Sequence, residues 1–229
     1  MLLAELELWH SRPIAPTRRV SLGRRLLPVE PAPGFGGLLL GAVVAAHMAD
    51  LDDDLVPELS ALLDDLQAGR RIPQPRLRHR FQEDHIGLAR SRHRLVGHGD
   101  ELDVQLDSQG SPASQVLGAA YACGRLDIGV RPVVMDVLRR AIRWRGGVSA
   151  DLLSFLSKAK IRSAGAFAHP ELWALGVLGF DGGAVPARRD VQRRFRDLVR
   201  EAHPDAGAAA TGAAQRIADL SEARDILLA

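Results

Sequence analysis

The chain has 229 residues, 46% of them hydrophobic and only 4% aromatic, with 30 basic against 28 acidic side chains. That length supports a sizeable core and more than one small domain, while the near balance of charge excludes a bulk electrostatic case for nucleic acid. An Ala- and Leu-rich, aromatic-poor composition favours helix over sheet, so the expected fold class is mainly α.

Residues 1–37 read as an N-terminal arm or linker. Prolines at 13, 16, 28, 31 and 33 and arginines at 12, 18, 19, 24 and 25 interrupt the segment. Within it, Leu2 to Trp9 alternates weakly and fits a strand or a short helix. No basic region precedes an apolar core, so no signal peptide is expected. The most apolar run, Gly34 to Met48, is shorter than the roughly twenty residues of a membrane span. It reads as a buried core helix, and the expected location is cytoplasmic, with no membrane partner.

Residues 38–160 are expected to form a helical domain. Leu38 to Met48 is apolar nearly all round. Asp50 to Asp54 is acidic, and Val56 to Leu66 is amphipathic, with Leu59, Leu62, Leu63 and Leu66 on one side. A similar unit recurs from Gln115 to Arg145. There Ala119-Ala120-Tyr121 echoes Ala45-Ala46-His47 and Asp127 echoes Asp53. Val134, Val137, Leu138 and Ile142 then form an apolar stripe. Two hairpins of one plan point to an internal duplication. An apolar helix, an acidic turn and an amphipathic helix resemble the TerB-like helical domain. That resemblance implies carboxylates able to bind metal, here Asp50, Asp52 and Glu58. The second repeat has lost most of its carboxylates, so no metal site is expected.

Between the hairpins, residues 70–94 hold eight arginines and His79, His85 and His93. Two readings stand: a charged connecting helix that answers the acidic stretch Asp50 to Asp65, or a basic patch for nucleic acid. Without an aromatic ladder the first is preferred, and a nucleic-acid partner is not expected. His79, His85, His93 and His98 lack a zinc-motif spacing. Asp100 to Asp107 alternates as a short strand would. Cys123 is the single cysteine, which fits a reducing compartment, and its apolar context reads as a buried small hydrophobe. No nucleophile elbow, P-loop, GxGxxG or CxxC pair appears. No catalytic residue, cofactor or enzymatic activity is expected.

The last segment, 169–229, has its own plan. A short helix from Pro170 to Val177 offers Leu172, Leu175 and Val177. At 100° per residue Val191, Phe195, Leu198 and Ala202 form one stripe, and Arg189, Arg193, Arg196 and Arg200 form the opposite one. Pro186 and Asp190 suit the start of this helix, and Pro204 ends it near Ala202. The last helix carries Ala213, Ile217, Leu220, Leu227 and Leu228 on one side. Between the two long helices lies His203-Pro204-Asp205.

Helix, HPD-bearing loop, helix resembles the J-domain family of DnaJ-type co-chaperones. Further matching pieces are Leu175-Gly176-Val177 and Ile217-Ala218-Asp219-Leu220-Ser221-Glu222-Ala223. The sequence departs from the family at Ala206, where a lysine is common, and at Arg224, where an aromatic residue is common. The resemblance implies a three-helix J domain that docks on a DnaK-type chaperone and stimulates its ATP hydrolysis. His203, Pro204 and Asp205 would make the contact, with Arg193, Arg196 and Arg200 supplying charge. A TerB-like domain before a C-terminal J domain is also the order in DjlA-type co-chaperones. Two other functions stay open: a scaffold with a degenerate J-like domain, and a nucleic-acid binder using Arg70 to Arg94.

Overall fold

The computed structural model describes residues 1–15, 17–98, 101–157, 170–180, 186–202 and 210–228, with backbone alone at 210–212, 214 and 215. The chain divides into two compact units, Met1–Ile161 and Arg162–Ala229. In the first unit five strands form one sheet: β1 (Leu2–His10), β2 (Arg19–Leu26), β3 (Arg80–Phe81), β4 (Ala89–His98) and β5 (Glu101–Gln105). Their order is β3-β2-β1-β4-β5. β1 is antiparallel to β2 and to β4, β4 is antiparallel to β5, and the short β3 runs parallel to β2.

This sheet corrects the expectation of a mainly α protein. Leu2 to Trp9, which fits a strand or a short helix, is the strand β1, and the proline- and arginine-rich remainder expected to be an arm supplies β2. The segment expected to be a charged connecting helix supplies β3 and β4. Residues 38–160 are therefore not a purely helical, TerB-like domain. The strand signal in β4 is hidden by its composition. Its buried positions are Ser91, His93, Leu95 and Gly97, only one of them a large aliphatic. Arg90, Arg92 and Arg94 alternate with them, and β1 supplies what they need. Glu5 and Glu7 are buried. Glu5 lies 2.8 Å from Arg94, and Glu7 lies 2.6 Å from Arg92. The register pairs Glu5 with Arg94 and Glu7 with Arg92, so each cross-strand neighbour is also an ion pair. Burial pushes the Glu7 carboxyl upward, but the Arg92 guanidinium, the Arg24 N–H and Arg90 outweigh it and hold the pKa below the usual value.

The other face of β1 presents Ala4, Leu6, Leu8 and His10, all buried. Helices α1 (Gly34–His47) and α3 (Pro112–Gly124) pack on the sheet. Gly118 lets α3 approach closely, because a Cβ there would fall 2.6 Å from Leu8 Cδ2. α1 is buried along nearly its whole length, as its apolar sequence requires. α4 (Arg131–Arg143) packs beside it, α2 (Val56–Gln67) packs on α3 and α4, and α5 (Ala150–Ser157) covers α1 and α4 with Leu152, Leu153 and Leu156. No helix among the described residues is long and apolar enough to cross a membrane.

The second unit contains α6 (Pro170–Leu178), α7 (Arg188–Ala202) and α8 (Ala210–Leu228). Ala174, Leu178, Val191, Leu220 and Ala223 form its buried centre. Of the three residues expected to close this core, Leu175 is buried and Val177 packs against it, but Leu172 is not part of it. Leu172 is 59% exposed, while Ala174 and Leu178 are fully buried.

A polar network ties sheet to helix inside the first unit. His93 is fully buried. Its Nε2 lies 2.8 Å from Gln115 Oε1, and the Asp107 N–H donates to Nδ1 across 3.3 Å. Nδ1 therefore accepts, and Nε2 carries the single proton. The Gln115 amide also donates to Ser91 Oγ, at 3.0 Å. Burial, reinforced by His47 and His10, pushes the His93 pKa down to about 4 against the pull of Gln115 and Asp107. His79 is shifted in the same direction, mainly by burial. An unfolded imidazole takes up its proton near pH 6.5, whereas folded His93 stays neutral until about 4. Stability is therefore full above the unfolded value. It declines as pH falls through that window, by up to about 3 kcal/mol for His93. Urea unfolding midpoints should fall between about pH 7 and about pH 4.5, and His93→Gln should flatten that fall. An unchanged pH slope in the variant would contradict the assignment.

Candidate functional site

α7 begins where the sequence places its start. The Ala187 carbonyl accepts from the Asp190 and Val191 N–H groups at 2.8 and 3.1 Å, and Asp190 sits in the first turn, where a negative charge is favoured. Val191 is fully buried, and Phe195, Leu198 and Ala202 pack against the same cluster. The expected apolar stripe is thus the inner face of the helix. Arg189, Arg193, Arg196 and Arg200 are exposed. Arg193, 73% exposed, lies 3.2 Å from Asp190, and Arg200, 80% exposed, lies 3.7 Å from Asp197. Exposed pairs within one helix contribute only tenths of a kcal/mol, about 0.3–0.5 each. Both guanidinium groups can therefore exchange these partners for others at little cost. Arg194 is used differently: its Nε donates to the Leu178 carbonyl across 3.0 Å and ties α7 to the end of α6.

Arg196 also lines a groove of about 590 Å³ with Phe195 and with Arg224 and Leu228 of α8. The Arg224 guanidinium lies 4.6 Å from the centre of the Phe195 ring, a cation–π stack. The Asp225 carboxylate holds it from the side at 2.6 Å. Arg224, a departure from the J-domain pattern, thus packs on the aromatic residue of the facing helix. These contacts put the start of α7 beside the end of α8, so the two helices run antiparallel. His203, Pro204 and Asp205 follow Ala202 directly in the sequence and lie outside the described residues.

The acidic turn of the first unit is engaged by arginine. Arg78 lies 2.8 Å from Asp52 and 2.5 Å from Asp54. Glu58 accepts the Leu77 N–H across 3.1 Å, and Asp65 holds Arg70 and Arg76 at 2.8 and 2.9 Å. Among the described residues no group of three His, Cys, Asp or Glu side chains is suited to a metal ion. Of the arginines between 70 and 94, Arg70, Arg76, Arg78, Arg90, Arg92 and Arg94 all face carboxylates of the same unit. Arg70, Arg76 and Arg78 answer the acidic stretch, as the first of the two readings holds, but from a loop rather than a helix, whereas Arg90, Arg92 and Arg94 on β4 answer Glu5 and Glu7.

In a comparison with known proteins, the chain matches no family model, no curated protein and no solved structure.

Cys123 lies fully buried on α3, and burial pushes its thiol up to about 12 despite Arg131 and Arg139. The thiol is protonated at neutral pH and is neither a nucleophile nor a ready metal ligand. A thiol-reactive disulfide reagent should leave Cys123 unmodified in native protein at mildly alkaline pH and modify it fully in denaturant. Rapid native labelling would show that the helix opens around it.

Proposed function

We propose that this chain is a J-domain co-chaperone that stimulates ATP hydrolysis by a DnaK-type chaperone, with the first unit recruiting a client or partner. The observation that carries this reading is a sequence feature set in a specific context. His203-Pro204-Asp205 joins an amphipathic helix with an exposed arginine face to a second helix that packs antiparallel against it. In the sequence the triplet lies between the two helices, and Pro204 restricts the backbone of the residue before it. Arg193, Arg196 and Arg200 lie on the helix that leads to it.

An exposed basic face speeds encounter with an acidic surface and makes the complex sensitive to salt. Stimulation needs no covalent step from this chain. It requires that the co-chaperone bind one state of the ATPase better than another, and so shift the cycle. The setting we propose is the cytoplasm, where a lone thiol such as Cys123 stays reduced. The carboxylate partners of Arg70, Arg76, Arg78, Arg90, Arg92 and Arg94 within the same unit favour this reading over a nucleic-acid binder that uses segment 70–94.

The test is single-turnover ATP hydrolysis by each DnaK-type chaperone of the same organism. Wild-type protein should accelerate turnover of at least one of them. His203→Gln should leave the rate at background while its thermal melting stays unchanged. Loss of cooperative melting together with stimulation would make His203 structural. Absence of stimulation by the wild type would leave a scaffold.

A further inference from the structure

The first unit holds a cavity of about 460 Å³ that none of the functions above uses. Four segments meet there: the β1–β2 loop, the α1–α2 connection, the turn before β3 and the start of α3. The β1–β2 loop is closed at its neck by Ser11 and Arg19. The Ser11 N–H donates to the Arg19 carbonyl across 3.0 Å, and the Arg19 N–H donates to Ser11 Oγ across 2.9 Å. Arg12 and Arg18 are the next residues inward from that closure, on facing sides of the loop. Both are exposed, both line the cavity, and neither forms an ion pair among the described residues. Facing like charges destabilise a hairpin unless something negative lies between them.

The remaining walls are of two kinds. Arg78 lines the cavity but is occupied by Asp52 and Asp54. Asp50 is the other carboxylate on the wall, so cationic charge stays in excess. Leu51, Leu55 and Pro112 add an apolar surface.

Behind them His79, buried, has Nδ1 2.6 Å from the Leu77 carbonyl. A carbonyl only accepts, so Nδ1 carries the proton and Nε2 is bare. Ser111 O–H donates to that nitrogen across 3.3 Å. The wall is neutral and internally satisfied, and the free charge sits at Arg12 and Arg18. Leu77 and Arg78 both have positive φ, at 47° and 59°. Residues with side chains adopt that conformation at a cost of order 1–2 kcal/mol each. The turn nonetheless holds Arg78 and His79 on the cavity wall.

We propose that this cavity binds a small phosphomonoester, its phosphate held between Arg12 and Arg18 and its organic body resting on Leu51, Leu55 and Pro112. A phosphate offers three oxygens to two guanidinium forks, where a carboxylate offers two. The volume exceeds that of a bare phosphate, and the apolar wall gives the remainder of the ligand a place.

Calorimetric titration of the full chain tests this, with phenyl phosphate as the probe and inorganic phosphate, benzoate and phenol as comparisons. Phenyl phosphate should bind saturably, and inorganic phosphate more weakly. Arg12→Ala and Arg18→Ala should each weaken phenyl phosphate by about tenfold, the worth of one charge-assisted hydrogen bond. Asp50→Asn should tighten it. Arg25→Ala, at an exposed arginine outside the cavity, should change nothing. Circular dichroism checks that each variant is folded, and Asp50→Asn keeps the test decisive because it is a gain. Three results would overturn the proposal: no saturable binding of phenyl phosphate, benzoate binding as tightly, or Arg25→Ala losing as much affinity as Arg18→Ala.

Discussion

Two glutamates on the central strand impose the order of the first unit. Glu5 and Glu7 are withdrawn from water, and a buried carboxylate without a partner costs several kcal/mol. β4 meets the demand with Arg90, Arg92 and Arg94, and β2 adds Arg24. Side chains alternate along a strand, so arginines at those positions place Ser91, His93 and Leu95 on the opposite face. That face is the one α1 and α3 cover. A slip of one residue would bury the arginines under the helices and strand both glutamates. One register therefore satisfies the charge on one side of the sheet and builds the His93–Gln115 tie to α3 on the other.

The helices were largely legible in the sequence, and β2, β3 and β4 were not, for a physical reason. α1, α2, α3 and α4 occupy the segments where apolar residues run continuously or at helical spacing. β5 falls inside the alternating stretch Asp100 to Asp107. β4 alternates as strictly, but between arginines and a mixture of Ser, His, Leu and Gly. Hydropathy sees there only a basic segment. The signal that would have found it lies in pairing: Arg90, Arg92 and Arg94 match Glu5 and Glu7 at the same spacing of two. β2 shows the same difficulty, since its arginines lie towards both ends of a strand whose buried residues are Val20 and Ser21.

The second unit shows the converse. The inner stripe of α7 could be read residue by residue, because a helix with four arginines on one side has only one side left to bury. α6 could be read only in part: Leu175 and Val177 face the core as expected, and Leu172 does not. Nearly every residue in Pro170–Leu178 is apolar, so any rotation looks equally good. The choice of Ala174 and Leu178 is made by the facing helices. The cavity in the first unit was also out of reach, because its walls come from four segments far apart in the chain. Arg12 and Arg18 carry no local pattern that marks them as neighbours.

The central claim is that the helix pair around His203-Pro204-Asp205 acts by telling apart the states of an ATPase. A partner that binds two states equally shifts nothing, however tightly it binds. The most direct measurement is the affinity of the full chain for a DnaK-type chaperone held in its ATP state and in its ADP state, at fixed salt. The account predicts affinities that differ by about tenfold or more. Equal affinity for the two states, or binding to neither, would contradict it.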